Sequence, residues 1–230
     1  MLSPIEDCSS NVVFESKRTP VVHLQDDKIH VINIAGEKGR IRRTHIRNAM
    51  GNYPFEFSNA HVPKQHIEQL KECLFFHMSQ ENLALVRSHS LLYKRLLESQ
   101  DPWIIIAEDD IEIVPNFSKK LQRVIQKLPT NFDVVKLEYC NKQPTIQEQV
   151  SIEEGQGGAC TGLYIVSRNG AELLLEINPP ETPCAVTDGV MDSQHPSSKR
   201  GHRKIIIYHV VPPLGWQNHS ENIWNNGGQH

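Results

Sequence analysis

The sequence predicts a single α/β domain built on a mixed, mainly parallel sheet, and three observations predict it. Short β-branched runs at Ile29–Ile34, Trp103–Ala107, Phe132–Tyr139, Leu163–Val166 and Lys204–Val211 have the length and composition of buried strands. Stretches with apolar residues at helical spacing separate them, so that strand, helix and strand follow one another as in a βαβ crossover. Finally, 230 residues give one sizeable core and demand no second domain.

In chain order, residues 1–28 are polar and read as an arm or an extra edge strand. The first strand, Ile29–Ile34, runs into Gly36, Gly39 and the basic stretch Arg40–Arg47, a strand, glycine turn and helix entry of the kind that meets phosphate. Asn33 is the odd residue there, because a buried amide must find partners; binding a nucleobase and capping the turn are both open. Gly51 and Pro54 mark a loop, and Pro63–Met78 and Glu81–Glu98 read as helices. The second carries Ser88-His89-Ser90, and a lone His on such a face is more often a packing residue than a ligand. Asp101-Pro102 ends that helix. Pro115 is expected at the first position of an amphipathic helix through Phe117, Leu121, Val124, Ile125 and Leu128. The polar segment Asn141–Gln156 reads as a mobile loop, Ser167 as the cap of a helix over Arg168–Ile177, and the Asn/Gly-rich residues 218–230 as a frayed tail. The folded domain is therefore expected over residues 29–217.

Composition narrows the functional classes. A net charge of -3 gives no electrostatic case for nucleic acid. Cys8, Cys73, Cys140, Cys160 and Cys184 are scattered, odd in number and without CxxC spacing, so reduced thiols are expected and neither a disulfide framework nor a zinc site is suggested. The N-terminal residues have no signal-peptide pattern, and no stretch approaches the ~20 apolar residues of a membrane span. A cytoplasmic protein is expected.

The stretch that carries chemistry is Trp103-Ile104-Ile105-Ile106-Ala107-Glu108-Asp109-Asp110. An apolar strand ending in three carboxylates puts acids at the carboxyl edge of the sheet, where open α/β folds bind ligands. Adjacent carboxylates repel, and a hard divalent cation would turn that repulsion into binding. Continued strand geometry sends Glu108 and Asp110 to one side and Asp109 to the other. Taken alone, such a triplet is more often an ordinary acidic strand exit.

Seven short blocks in fixed order change that weighting. They are His30-Val31-Ile32-Asn33-Ile34, Ser88-His89-Ser90-Leu91-Leu92, Ile105 to Asp110, Phe132 to Leu137, Gly162 to Leu174, Thr187-Asp188, and Tyr208 to Leu214. Together they resemble glycosyltransferase family 25, the lipooligosaccharide galactosyltransferase type related to the collagen galactosyltransferases. The resemblance implies a GT-A-like, Rossmann-type α/β/α sandwich and an inverting transfer of a hexose, most often galactose, from a UDP-sugar. It implies a divalent metal, usually Mn2+, held by the acidic motif, with Asp110 and Glu108 as ligands and Glu108 and Asp109 in the donor site. His209 is a further candidate ligand, a buried neutral His being equally open. By the same resemblance Asn33, Arg40 and Arg43 face uracil and ribose, His89 orients the acids or the sugar, and Asp188, then Asp192, is the candidate base.

The sequence departs from the family pattern at Leu85-Val86-Arg87, where a Gly and a small residue usually precede the Ser-His block. The acceptor implied is a glycan, a lipooligosaccharide or a glycoprotein, with any membrane association peripheral and at the inner face. Rival readings are a UDP-glucose-using transferase, a metal-dependent phosphohydrolase using the same acids, and a binding protein that kept the fold without turnover.

Overall fold

The computed structural model describes residues 28–62, 78–140, 143–145, 147–158, 160–191 and 202–217. The expected arm, most of the helix over Pro63–Met78, Asp192 and the tail lie outside the described residues. The elements in order are β1 (Ile29–Asn33), α1 (Gly36–Met50), β2 (Phe55–Asn59), α2 (Gln80–Glu98), β3 (Trp103–Glu108), β4 (Ile111–Ile113), α3 (Phe117–Ile125), β5 (Val134–Lys136), β6 (Glu138–Cys140), β7 (Ser151–Gly155), β8 (Leu163–Ser167), α4 (Arg168–Ile177), α5 (Thr187–Met191), β9 (Ile207–Val211) and β10 (Gly215–Gln217).

Seven strands form the main sheet in the order β2-β1-β3-β8-β5-β9-β7. β2, β1, β3, β5 and β9 share one direction, while β8 and the edge strand β7 oppose it, so the sheet is mixed and mainly parallel. A small second sheet, β4-β10-β6, lies beyond the carboxyl end of β3.

Side-chain alternation divides the core into two layers. On β3, Ile105 and Ala107 join one apolar cluster with Ile46 of α1 and Leu121 of α3, whereas Ile104 and Ile106 join another with Leu92 of α2 and Leu174 of α4. Helices therefore cover both faces, which is the α/β/α sandwich of GT-A-like layout. Helix and strand pack closely where Gly39 faces Ile34 O: a β-carbon at Gly39 would stand 1.8 Å from that oxygen. Ser79 and Ser167 cap α2 and α4 by accepting from Asn82 N and Gly170 N.

Several expectations are corrected. Phe55–Asn59, within an expected loop, is a parallel strand that extends the sheet past β1. The expected strand Phe132–Tyr139 breaks at Leu137, so that β5 stays in the main sheet while β6 joins the small one. Within the expected loop Asn141–Gln156, Ser151–Gly155 pairs antiparallel with β9 as an edge strand, its Glu153 and Glu154 exposed as an edge requires. Pro115 is not the first helical residue; it precedes Asn116, whose φ of 59° is tolerated by an Asn, and α3 begins at Phe117. The thiols are not all reduced: Cys140 at the end of β6 is joined to Cys160 ahead of β8, with Cα atoms 5.8 Å apart, and Cys184 is also disulfide-bonded. The partners are 20 residues apart in sequence and meet because β7 folds back between them, which spacing alone did not reveal.

Candidate active site

β3 delivers the acids to the carboxyl edge of the sheet. Glu108 still pairs in register with Ile32 and donates its N–H to Gly162 O at 2.8 Å, and Asp109 and Asp110 then turn into β4. Alternation holds through the turn. Glu108 Oε2 and Asp110 Oδ1 both accept from the single amide nitrogen Gln217 Nε2, at 3.0 and 2.9 Å.

Asp109 points the other way and is 3% exposed. Its Oδ2 accepts from Asn33 Nδ2 at 2.7 Å and Ile34 N at 3.0 Å, and its Oδ1 from Arg42 Nη1 at 2.5 Å. Arg42 Nη2 lies 3.3 Å from Asp110 Oδ2, so one guanidinium spans both aspartates. Asn33 is fully engaged: its amide also donates to Gly39 O, and its Oδ1 accepts from Arg43 Nε. The end of β1, the start of α1 and the acidic turn thus form one locked corner.

Behind Glu108 runs a buried polar chain. Thr161 Oγ1 donates to Glu108 Oε1 at 2.9 Å, and His89 Nε2 lies 3.3 Å from the same oxygen without hydrogen-bond geometry. His89, fully buried, is bonded through Nδ1 to Tyr164 Oη at 2.7 Å, and that hydroxyl to Tyr93 Oη at 2.7 Å. Burial pushes the Glu108 carboxyl up, but His89, Thr161 and Gln217 together hold it below its ordinary value. Asp110 shifts upward, by burial first and then by the charge of Glu108, against the pull of Arg42. Neighbouring acids with opposite shifts are a common mark of a reactive site.

The fold adds a fourth acid that pattern reading passed over. Glu138, the first residue of β6, is 3% exposed, and no side chain among the described residues hydrogen-bonds its carboxylate, which faces the backbone amides of Leu163 and Gly162. Burial first, and then Glu108, push its carboxyl up to about 8, while the Leu163 and Gly162 amides and Lys136 favour the ionised form. A β-carbon on Gly162 would stand 2.5 Å from Glu138 Oε2 and 2.6 Å from Gln217 Cδ, so the carboxylate and the carboxamide share one small space. The signal was present as a charged residue inside an apolar strand. Arg42 was also legible: Gly39, Ile46 and Met50 are the buried stripe of α1, and helical spacing puts residues 42 and 43 beside it.

Other candidates sit apart from the acids. Arg40 pairs with Glu37 on the exposed side of α1, whereas Arg43 reaches Asn33 and lies over the Phe57 ring at 5.3 Å. Asp188 reaches the site indirectly: its Oδ2 accepts from Cys160 N at 3.1 Å, and the next residue, Thr161, holds Glu108. His209 is not brought to the carboxylates; on β9, three strands from β3, its Nε2 donates to Gln156 O at 2.9 Å. As the side chains stand, no group of three or more His, Cys, Asp or Glu among the described residues is arranged to hold a metal ion.

A mixed, mainly parallel α/β/α sandwich with an acidic exit from its third strand is the class of fold that takes its ligands at the carboxyl edge of the sheet. More narrowly, the chain belongs to glycosyltransferase family 25 (LPS biosynthesis protein), whose pattern it matches over residues 26–190. It is similar to the lacto-N-neotetraose biosynthesis glycosyltransferase LgtB of Neisseria meningitidis serogroup B, at 34% identity over 90 residues, 36% of this chain and 32% of that protein. The chain thus matches about a third of the length of that curated relative. Among solved structures it resembles a glycosyltransferase involved in glycosylation of the major capsid of PBCV-1 (14% identity, TM-score 0.39, 65% of this chain and 64% of that one). It also resembles glucosyl-3-phosphoglycerate synthase from Mycobacterium tuberculosis (12% identity, TM-score 0.33, 72% of this chain and 64% of that one). At those scores the likeness says nothing of what this chain binds.

Proposed function

We propose that this chain is a metal-dependent, inverting hexosyltransferase that moves galactose from UDP-galactose to a hydroxyl of a glycan or glycoprotein. The observation that carries the reading is the Gln217 amide between Glu108 and Asp110: a positively polarised N–H group stands where two carboxylates converge at the ligand edge of the sheet. Oxygen donors of this kind fit a hard divalent cation. Glu108 and Asp110 would hold the ion, which when bound supplies positive charge to the departing diphosphate.

The residues of the chain do the rest. Asp109 and Asn33 are spent on each other and on Arg42 and Arg43, so we assign them to setting the corner on which the nucleotide lies, with Arg43 and the Phe57 ring on its nucleoside side. In the transfer the acceptor oxygen bonds to the anomeric carbon as the bond to the diphosphate breaks, and the acceptor proton passes to a carboxylate, for which Asp188 is our candidate. His89 keeps Glu108 oriented. The family's LPS-biosynthesis description and the saccharide product in the relative's name support a saccharide acceptor. No described helix is long and apolar enough to cross a membrane, and a peripheral association suits a lipid-linked acceptor. We keep the cytoplasmic face of a membrane as the location, in line with the family's LPS-biosynthesis description, although a Cys140–Cys160 bridge is uncommon in a reducing compartment.

Thermal melting of wild type and Asp110→Asn with UDP-galactose, UDP-glucose, UDP or GDP-mannose, each with Mn2+ or chelator, tests the reading. A ligand at about a hundred times its dissociation constant adds ~2.7 kcal/mol. Stabilisation by UDP-galactose that needs Mn2+ and is absent in the variant is expected. A larger shift with UDP-glucose changes the donor, nucleotide breakdown without an acceptor favours the phosphohydrolase, and no shift with any nucleotide refutes the transferase.

A further inference from the structure

We propose that the outward face of the small sheet is a subsite for the acceptor saccharide, where Tyr139 and Trp216 stack against a pyranose ring beside the one that reacts. The inference rests on the transferase reading above and gives residues to the acceptor, which that reading leaves unplaced. Register and burial define the face. Trp216 of β10 lies opposite Glu112 of β4 and beside Tyr139 of β6, so the three side chains form one row. Their neighbours Ile111, Glu138 and Gln217 point to the other side and are buried. Tyr139, by contrast, is 40% exposed, and Trp216 is half-buried. Beyond Tyr139 the row ends at His209, whose ring centroid lies 6.4 Å from that of Tyr139.

Size and charge say what covers this face. Each of its strands is three residues long, so it measures about 10 by 10 Å, roughly 100 Å². A stable protein partner needs about 800 Å² on each side, which a second copy of the chain does not find here. One or two sugar rings do fit. The C–H groups on one side of a pyranose pack against an aromatic ring, while its hydroxyls need hydrogen-bonding groups at the edge. The row supplies both. At one end Glu112, whose neighbour His45 is committed to Ile111 O, accepts from hydroxyls and repels a phosphate. At the other, His209 donates Nε2–H to Gln156 O and keeps Nδ1 as an acceptor. Position joins the face to the chemistry. Trp216 precedes Gln217, which holds Glu108 and Asp110. Tyr139 precedes Cys140, whose bridge leads to Cys160 and, through its N–H, to Asp188, the candidate base.

Saturation-transfer difference NMR with lactose, cellobiose, methyl β-galactoside and uridine tests the subsite, first without donor or metal and then with UDP and Mn2+. The proteins are wild type, Tyr139→Phe and Tyr139→Ala. Wild type is expected to bind a disaccharide more tightly than the monosaccharide, with saturation strongest on the C–H protons of one ring face. Tyr139→Phe keeps the ring and is expected to bind within about twofold of wild type, and Tyr139→Ala at least about fivefold more weakly. Because the Tyr139 ring is exposed, both variants are expected to melt as wild type does. Equal disaccharide binding by Tyr139→Ala overturns the subsite. So does saturation of uridine in place of the saccharides. A wild-type dimer in light scattering that Tyr139→Ala dissolves gives the face to a second copy and overturns it too. If wild type binds no saccharide under either condition, the subsite falls while the transferase reading is decided separately, since melting with UDP-galactose and Mn2+ needs no acceptor.

Discussion

Replacing Asp109 separates a structural strut from a donor ligand. Its carboxylate accepts from Asn33, Ile34 and Arg42, and its side chain is 4% exposed against 13% for Arg42. Asp109→Ala leaves the Ile34 N–H without its acceptor and Arg42 with Asp110 alone, at 3.3 Å. Removing one partner of a buried ion pair costs about 3–5 kcal/mol, and the retained contact to Asp110 puts the expected loss near the lower figure. For a chain of this size ~3 kcal/mol lowers Tm by about 6–12 °C. Asp109→Asn keeps an acceptor for Ile34 N and loses the charge facing Arg42, so about half that loss is expected. Urea denaturation of both variants, free of metal and nucleotide, is the assay. A loss under about 1 kcal/mol for Asp109→Ala, together with abolished UDP binding, would refute the strut and return Asp109 to the donor site.

Three further perturbations test the same corner. Gly162→Ala forces a β-carbon into the space of Glu138 Oε2 and Gln217 Cδ, and is expected to cost about 1–3 kcal/mol and weaken Mn2+ binding; unchanged melting and binding would show that the space is slack. In the metal-free protein Glu138 keeps its proton up to about 8, while the unfolded chain releases it near 4.5, so the folded state binds more protons between those values. Stability from this group is therefore complete at the acidic end of that window and lost as pH rises through it; denaturation midpoints of wild type minus Glu138→Gln should fall from pH 5 to 8, and parallel profiles would count against the shift. Reducing Cys140–Cys160 reopens a loop closed over a separation of 20 residues, an expected loss of about 3 kcal/mol, and it loosens the segment in which Cys160 N–H meets Asp188 and Thr161 meets Glu108. Melting with and without reductant, in wild type and a Cys140→Ser/Cys160→Ser double variant, measures it; a reductant shift that persists in the double variant would assign it to another bridge.

What could be read from the sequence was local. The β-branched run ending in Glu108-Asp109-Asp110 predicts both a buried strand and the side of it that each acid takes, because alternation is a property of the strand itself. Ser167 announces the start of α4 for the same reason: a cap needs only its own next three residues. Edge strands were harder, since Phe55–Asn59 and Ser151–Gly155 lack a continuous apolar signal and exist because a neighbouring strand offers hydrogen bonds. The site's remaining partners are long-range. Gln217 stands 109 residues from Glu108, Arg42 stands 67 from Asp109, and Glu138 turns toward the acids because the chain bends at Leu137 into a second sheet. Periodicity determined which residues form each strand and which side each acid takes; only the packed sheets decided which amide, guanidinium and buried acid those carboxylates meet, because burial and pairing energies belong to neighbours in space, and the sequence order does not carry them.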